Sequence, residues 1–142
     1  MFSDGVFILF LSGSGIFGTE GDKVKIQESA ENYLETILSL KSKKNEVRSI
    51  DVANELGFSK PSISRAVSLF KQEGYITVDE HGIISLTETG LRIARRVSER
   101  HETLMKFLIS IGVSEKTAED DACRIEHVIS EEAFNKIKEK LS

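Results

Sequence analysis

Arg48-Ser49-Ile50-Asp51-Val52-Ala53-Asn54-Glu55-Leu56-Gly57-Phe58-Ser59-Lys60-Pro61-Ser62-Ile63-Ser64-Arg65-Ala66-Val67-Ser68-Leu69-Phe70 reads as two short helices about a glycine turn. Ser49 can cap the first helix, and Gly57 suits the left-handed turn that ends it. Ser59 is a good N-cap for the second. Pro61 falls in that helix's first turn, where a missing N–H costs nothing. Ile63, Val67 and Phe70 then recur at i, i+4 and i+7 with Ala66 and Leu69 beside them, a stripe suited to burial. The opposite face offers Lys60, Ser62, Ser64, Arg65 and Ser68. Two readings fit this segment alone equally well: a helix-turn-helix with its second helix in a DNA major groove, or a core helix with a wet face.

The next stretch decides between them. Glu73-Gly74-Tyr75-Ile76-Thr77-Val78 reads as a strand after a glycine stop, Asp79-Glu80-His81-Gly82 as a turn, and Ile83-Ile84-Ser85-Leu86 as a returning strand. A hairpin directly after a recognition-like helix is the wing of a winged helix, with His81 at its tip, placed for a phosphate or solvent contact. Short serines let a helix backbone approach the major groove, while Lys60 and Arg65 can meet phosphates or a guanine edge.

Upstream, a helix is predicted from Gln27, with Tyr33, Leu34, Ile37, Leu38 and Leu40 at helical spacing. Asn32 and Glu35 stand three apart on an adjacent face, a pair that on its own is an ordinary solvated surface. Before that helix, Gly5-Val6-Phe7-Ile8-Leu9-Phe10-Leu11 is apolar, but no Lys or Arg precedes it. It therefore lacks a signal peptide's basic start, and it is well short of the about 20 residues that span a bilayer. Residues 1–26 read as an extension outside any domain; an extra strand, an apolar arm on a partner subunit or a degenerate export signal are the alternatives.

Downstream, Thr87 or Thr89 caps a long helix running toward Gly112. Leu91, Ala94, Val97, Leu104, Phe107 and Leu108 form its apolar side, and Arg92, Arg95, Arg96 and Arg100 its basic one. Ser114 opens another helix and Ser130 a last one. Three helices with few residues to enclose a core bury their stripes best against a second copy, so a homodimer is expected. The predicted fold class is mainly α: an N-terminal winged helix-turn-helix domain over 27–88 followed by a helical dimerisation domain over 89–142.

Charge and cysteine usage narrow the chemistry. The net charge of -4 does not advertise nucleic-acid binding, but residues 46–100 balance while residues 101–142 carry nine acidic against six basic side chains. Acidity thus gathers where a cation site would want it. One cysteine excludes an intrachain disulfide, so a reducing, cytoplasmic setting is the simplest reading. That cysteine lies in Asp121-Ala122-Cys123-Arg124-Ile125-Glu126-His127. Read as helix, Cys123, Glu126 and His127 project from one face and present sulfur, carboxylate and imidazole, an incomplete transition-metal shell. His101, on the neighbouring long helix, adds a fourth metal-competent side chain, and ligands split between packed helices are a common construction.

Residues 28–142 resemble the metal-dependent repressors typified by the diphtheria toxin repressor and the manganese transport regulator. The resemblance rests on Glu31-Asn32-Tyr33-Leu34-Glu35, Ser59-Lys60-Pro61-Ser62-Ile63-Ser64, Arg100-His101-Glu102 and, most specifically, Asp121 to Ser130. It implies a winged helix joined to a helical dimerisation domain, with Fe(II) or Mn(II) as corepressor and operator DNA as partner. Cys123, Glu126 and His127 fall on metal positions and His101 on a further one. Glu35 matches a ligand of the manganese branch, and Asn32 stands where that branch has aspartate and the iron branch methionine. Glu119 and Met105 stand where a second site has histidine and glutamate; Met105 is a poor ligand for hard ions. The chain matches the short form that lacks an SH3-like domain.

A thiolate tilts the site toward Fe(II), Co(II), Ni(II) or Zn(II), while the carboxylates keep Mn(II) in play; the order expected is Fe(II), then Mn(II). Neither a membrane nor a small-molecule substrate is expected. One rival is a winged-helix regulator that answers a small molecule or Cys123 oxidation, with any metal purely structural. Another is an enzyme with Cys123 as nucleophile and His127 as base, for which the sequence offers no recognisable oxyanion hole or orienting group.

Overall fold

The fold was analysed in a computed structural model that describes the backbone of residues 20–142 and the side chains from residue 28 onward. The apolar run at 5–11 lies outside the described residues. The chain divides into two units, one ending at Ala94 and the other spanning Arg95–Ser142.

The first unit begins with α1 (Glu20–Lys43), followed by α2 (Ser49–Leu56) and α3 (Lys60–Gln72). Helix α1 thus starts earlier than the apolar periodicity predicts. Periodicity marks only where a helix buries a face, and the backbone is already helical from Glu20, ahead of the stripe that begins at Tyr33. Ser49 is the first residue inside α2 rather than its cap. The cap is Arg48, whose backbone N–H donates to the Asp51 carboxylate at 2.8 Å, with Lys44 on the same carboxylate at 2.7 Å. Gly57 ends α2 at φ +72°, and Ser59 caps α3 by accepting from the Ser62 N–H.

The core of this unit is Tyr33, Leu34, Ile37, Val47, Val52, Ile63, Ala66, Phe70, Ile76, Ile84 and Ala94. The stripes predicted on α1 and α3 therefore meet each other and the hairpin. Strands β1 (Ile76–Val78) and β2 (Ile84–Leu86) pair antiparallel, Ile76 opposite Leu86 and Val78 opposite Ile84. Asp79 closes the turn by accepting the N–H groups of His81 and Ile83, both at 2.8 Å, and Gly82 takes φ +78°. One feature was not legible in the sequence. Arg48 bridges Ile83, and the Val47 carbonyl accepts the Ile84 N–H at 2.8 Å, so the segment entering α2 adds a rung to the wing.

Tyr33 carries an unmet need at the centre of this core. Its ring packs on Phe70 at 4.8 Å between centroids, and its hydroxyl is buried with no hydrogen-bond partner among the described residues. Burial pushes the phenol pKa well above its ordinary value, because an ionised oxygen there would have no compensation. A buried unsatisfied hydroxyl costs about 1–3 kcal/mol. Tyr33→Phe keeps the ring and removes the orphan, so urea unfolding should show a gain of about 1 kcal/mol. A loss of that size would mean the hydroxyl has a partner.

Helix α4 (Glu88–Ser110) runs from the first unit into the second, which continues with α5 (Glu115–Ile125) and α6 (Glu131–Leu141). Of the two threonines proposed as the α4 cap, Thr87 does it, its hydroxyl accepting from the Gly90 N–H at 3.1 Å. Ser114 and Ser130 cap α5 and α6 as the sequence predicts. The second unit buries Val97, Leu104, Ala118, Ala122 and Phe134, a small core. Ile109, Ile111, Val128 and Leu141 stay exposed, Val128 at 68%. Among the described residues no helix is long and apolar enough to cross a membrane.

Candidate metal centre and DNA-reading face

His101 sits on α4, Cys123 near the end of α5, and Glu126 and His127 just past it. The expectation of a continuous helix through His127 is therefore corrected. Glu126 keeps a helical φ/ψ as the C-cap, but the chain then turns, with the Val128 N–H tightening onto the Ile125 carbonyl at 3.0 Å. The turn has a chemical consequence. It lets His127 double back on its neighbour, so that the Glu126 carboxylate, only 1% exposed, lies between two imidazoles. Glu126 Oε2 is 2.9 Å from His101 Nδ1, and Oε1 is 3.2 Å from His127 Nε2. The Cys123 sulfur stands 3.7 Å from the same His101 nitrogen.

Burial alone would raise the Glu126 pKa; the hydrogen bonds from His101 and His127 outweigh it and hold the carboxyl below the ordinary range. The Cys123 sulfur and the Glu126 carboxylate in turn raise His101 to about 10. At neutral pH the buried carboxylate thus draws its counter-charge from a protonated imidazole. The donor set of one carboxylate, two imidazoles and one sulfur suits a divalent transition ion, which can take over the role of that proton.

A pH dependence follows from the raised His101 pKa. Protonated His101 contributes stability that is complete below its unfolded pKa near 6.5 and is lost as pH climbs through about 10. If His101 ligates a metal, uptake must displace that proton, and Mn(II) affinity should then rise roughly tenfold per pH unit for each proton released. Isothermal titration at pH 6.5 and 7.5 in buffers of different ionisation enthalpy measures it. Affinity equal at both pH values would contradict the assignment of His101.

Asn32 and Glu35 lie on α1 of the first unit, half-buried and one turn apart. Glu119 is exposed on α5, and Met105 is half-buried on α4.

On α3, Ser59, Lys60, Pro61, Ser64, Arg65 and Ser68 are exposed. Ser62, predicted on the same face, is instead buried at 4%, its hydroxyl accepting from Ser59 at 2.9 Å. Its place in the first turn aims it into the cap rather than outward. No acidic residue occurs in α3, which leaves Lys60 and Arg65 uncompensated along it. Ser49 and Ile50 of α2, which sequence reasoning did not place there, line a groove with Lys60, Ser64 and Ser68. His81 is exposed at the wing tip beside Glu80.

Two family models match the chain. The iron-dependent repressor N-terminal DNA-binding domain covers residues 25–82, and the iron-dependent repressor metal-binding and dimerisation domain covers residues 87–142. An uncharacterised HTH-type transcriptional regulator of Methanocaldococcus jannaschii is 30% identical over 115 residues, which are 80% of this chain and 92% of that one. The chain belongs to the iron-dependent repressor family. This family member is also 32% identical to the transcriptional regulator MntR of Escherichia coli O6:H1 over 109 residues, 77% of the chain and 70% of MntR. Among solved structures, a manganese-dependent transcriptional repressor in complex with manganese is 27% identical with a TM-score of 0.72, over 79% of this chain and 52% of that one. The T. acidophilum IdeR structure is 26% identical with a TM-score of 0.68, over 78% and 53%. The family member described here thus spans about half the length of these solved chains.

Proposed function

We propose that the chain is a metal-gated transcriptional repressor that binds operator DNA as a homodimer when loaded with Fe(II) or Mn(II), controlling metal-homeostasis genes. The observation that carries this reading is the buried Glu126 carboxylate held between His101 and His127 beside the Cys123 sulfur. A buried carboxylate needs a compensating positive charge, and the protonated His101 that supplies it here can give way to a metal ion.

In this reading His101, Cys123, Glu126 and His127 hold the ion from the dimerisation unit, while Glu35 and Asn32 contribute from the first helix of the DNA-reading unit. When bound, a divalent ion would supply the positive charge that offsets the carboxylate and thiolate donors. Lys60 and Arg65 meet phosphate or guanine, and Ser59, Ser64 and Ser68 keep the helix surface low enough for the groove. Half-sites lie roughly 34–36 Å apart, so the spacing of two α3 helices across a dimer decides binding. The exposed Ile109, Ile111, Val128 and Leu141 supply apolar surface for a second copy. A hundredfold preference for the DNA-ready arrangement corresponds to about 2.7 kcal/mol.

Operator binding implies a cytoplasmic protein and no catalytic step. A nucleophilic Cys123 would need a free imidazole as its base, but the His101 ring 3.7 Å from the sulfur shares its Nδ1 with Glu126.

Two variants separate the roles. Operator duplexes would be selected from a random library with Mn(II)-loaded protein and followed by fluorescence anisotropy. Cys123→Ala should abolish most of the gain in affinity on adding metal while leaving basal, salt-dependent binding intact. Arg65→Ala should weaken binding with and without metal by roughly tenfold, the cost of one bidentate base contact. The opposite pattern would place the metal response outside this site.

A further inference from the structure

We infer that Arg100 is the positioning residue of the metal turn, gripping the backbone of residues 126–129 so that Glu126 and His127 stay aimed at His101 and Cys123. The inference rests on the metal-site reading above. Sequence reasoning counts Arg100 only among the basic residues of the long helix, and as the neighbour of His101.

Its side chain is not spent on solvent. It is 13% exposed, and Nη1 donates to the Glu126 carbonyl at 3.2 Å and to the Ile129 carbonyl at 3.4 Å. Nη2 donates to the Glu131 carboxylate at 2.5 Å, and the guanidinium lies over the Phe134 ring at 5.6 Å. These contacts span both ends of the turn that carries two of the candidate ligands. Carbonyls at a helix end have no intrahelical partner and carry partial negative charge, so a cation there satisfies and stabilises them.

Glu126 is consequently held twice by consecutive residues of α4: its carboxylate by His101 and its carbonyl by Arg100. A planar fork can serve several acceptors at once, whereas an ammonium is a single point donor. Phe134, buried at 4%, fixes the plane of the guanidinium from below. The turn's own backbone bonds run from the Glu126 N–H to the Ala122 carbonyl and from the Val128 and Ile129 N–H groups to the Ile125 carbonyl, and none of these fixes the Glu126 carbonyl.

The test is Co(II) binding to the full chain, read by the thiolate-to-Co(II) charge-transfer band and the visible ligand-field bands. Wild type should show both, which establishes the metal site independently. Arg100→Lys should fold, keep the charge and lose Co(II) affinity by about 10- to 100-fold, the size expected for a partner that orients ligands. Its ligand-field bands should also shift or broaden. Glu131→Gln, which removes only the anchor of the fork, should show a smaller loss in the same direction. Lys138→Met removes the Lys138–Glu99 pair, which also ties α6 to α4 but does not touch the turn. It should leave affinity and spectrum unchanged. If wild type gives no charge-transfer band, the site reading fails. If wild type gives the band and Arg100→Lys matches it, or Lys138→Met falls as far as Arg100→Lys, the positioning role is overturned.

Discussion

Glu126→Gln is expected to lower Mn(II) or Co(II) affinity by about 100-fold or more, roughly 3 kcal/mol, while leaving the fold intact. The amide keeps the shape of the side chain and can still hydrogen-bond His101 and His127, but it lacks the charge that makes the centre attractive to a cation. Glu126→Ala should behave differently. It removes the buried anion that sits on both imidazoles and so leaves a protonated His101 without its partner. Breaking a buried pair from one side costs about 3–5 kcal/mol. The alanine variant should therefore lose stability even in chelator, whereas the glutamine variant should lose mainly metal. Metal titration and urea unfolding on the two proteins separate these effects. Near-wild-type Mn(II) affinity in Glu126→Gln would remove the carboxylate from the site.

The second large effect is expected at the start of α4. Gly90 is buried in the first turn of α4, and a Cβ built on it would lie 2.0 Å from the Tyr75 carbonyl oxygen. That contact is with backbone, so no rotamer change relieves it. The same carbonyl accepts the Thr87 N–H at 3.0 Å, and the Thr87 hydroxyl donates to the Gly74 carbonyl at 2.7 Å. The start of α4 is thus pinned to the segment that leads from α3 into β1. Gly90→Ala must push these apart, and overpacking of this kind costs about 3 kcal/mol or more, at the upper end of core insertions. Because Ala favours a helix over Gly by about 1 kcal/mol, local propensity predicts the opposite sign. Urea unfolding decides between them: a destabilised protein supports the close approach, and a stabilised one contradicts it.

Much of the fold was legible because its signals are local. Gly57, Ser59, Pro61, Ser114 and Ser130 each act on the few residues beside them, and the Asp79–Gly82 turn declares itself. What was not legible depends on distant partners. The bridge from Arg48 to Ile83 and the constraint on Gly90 both arise from backbone brought close by tertiary packing. Ser62 looked like part of an outward face because helical spacing puts it near Lys60 and Arg65, but its competing bond with Ser59 turns it inward.

The candidate site shows the same division. The residue types at Cys123, Glu126, His127 and His101 announce metal chemistry from composition and spacing. The central position of the Glu126 carboxylate does not, because it requires the helix to end at Ile125 and His127 to fold back. Arg100 was hidden for a related reason: a cation in a basic stretch gives no sign of which carbonyls it meets.

Control of DNA binding by metal occupancy is tested most simply by operator affinity, measured by anisotropy with Mn(II), with Fe(II) under anaerobic conditions, and with chelator. Binding should be tight with either metal and weaker by about 100-fold or more in chelator, equivalent to roughly 2.7 kcal/mol of coupling. Equal affinity with and without metal would contradict it.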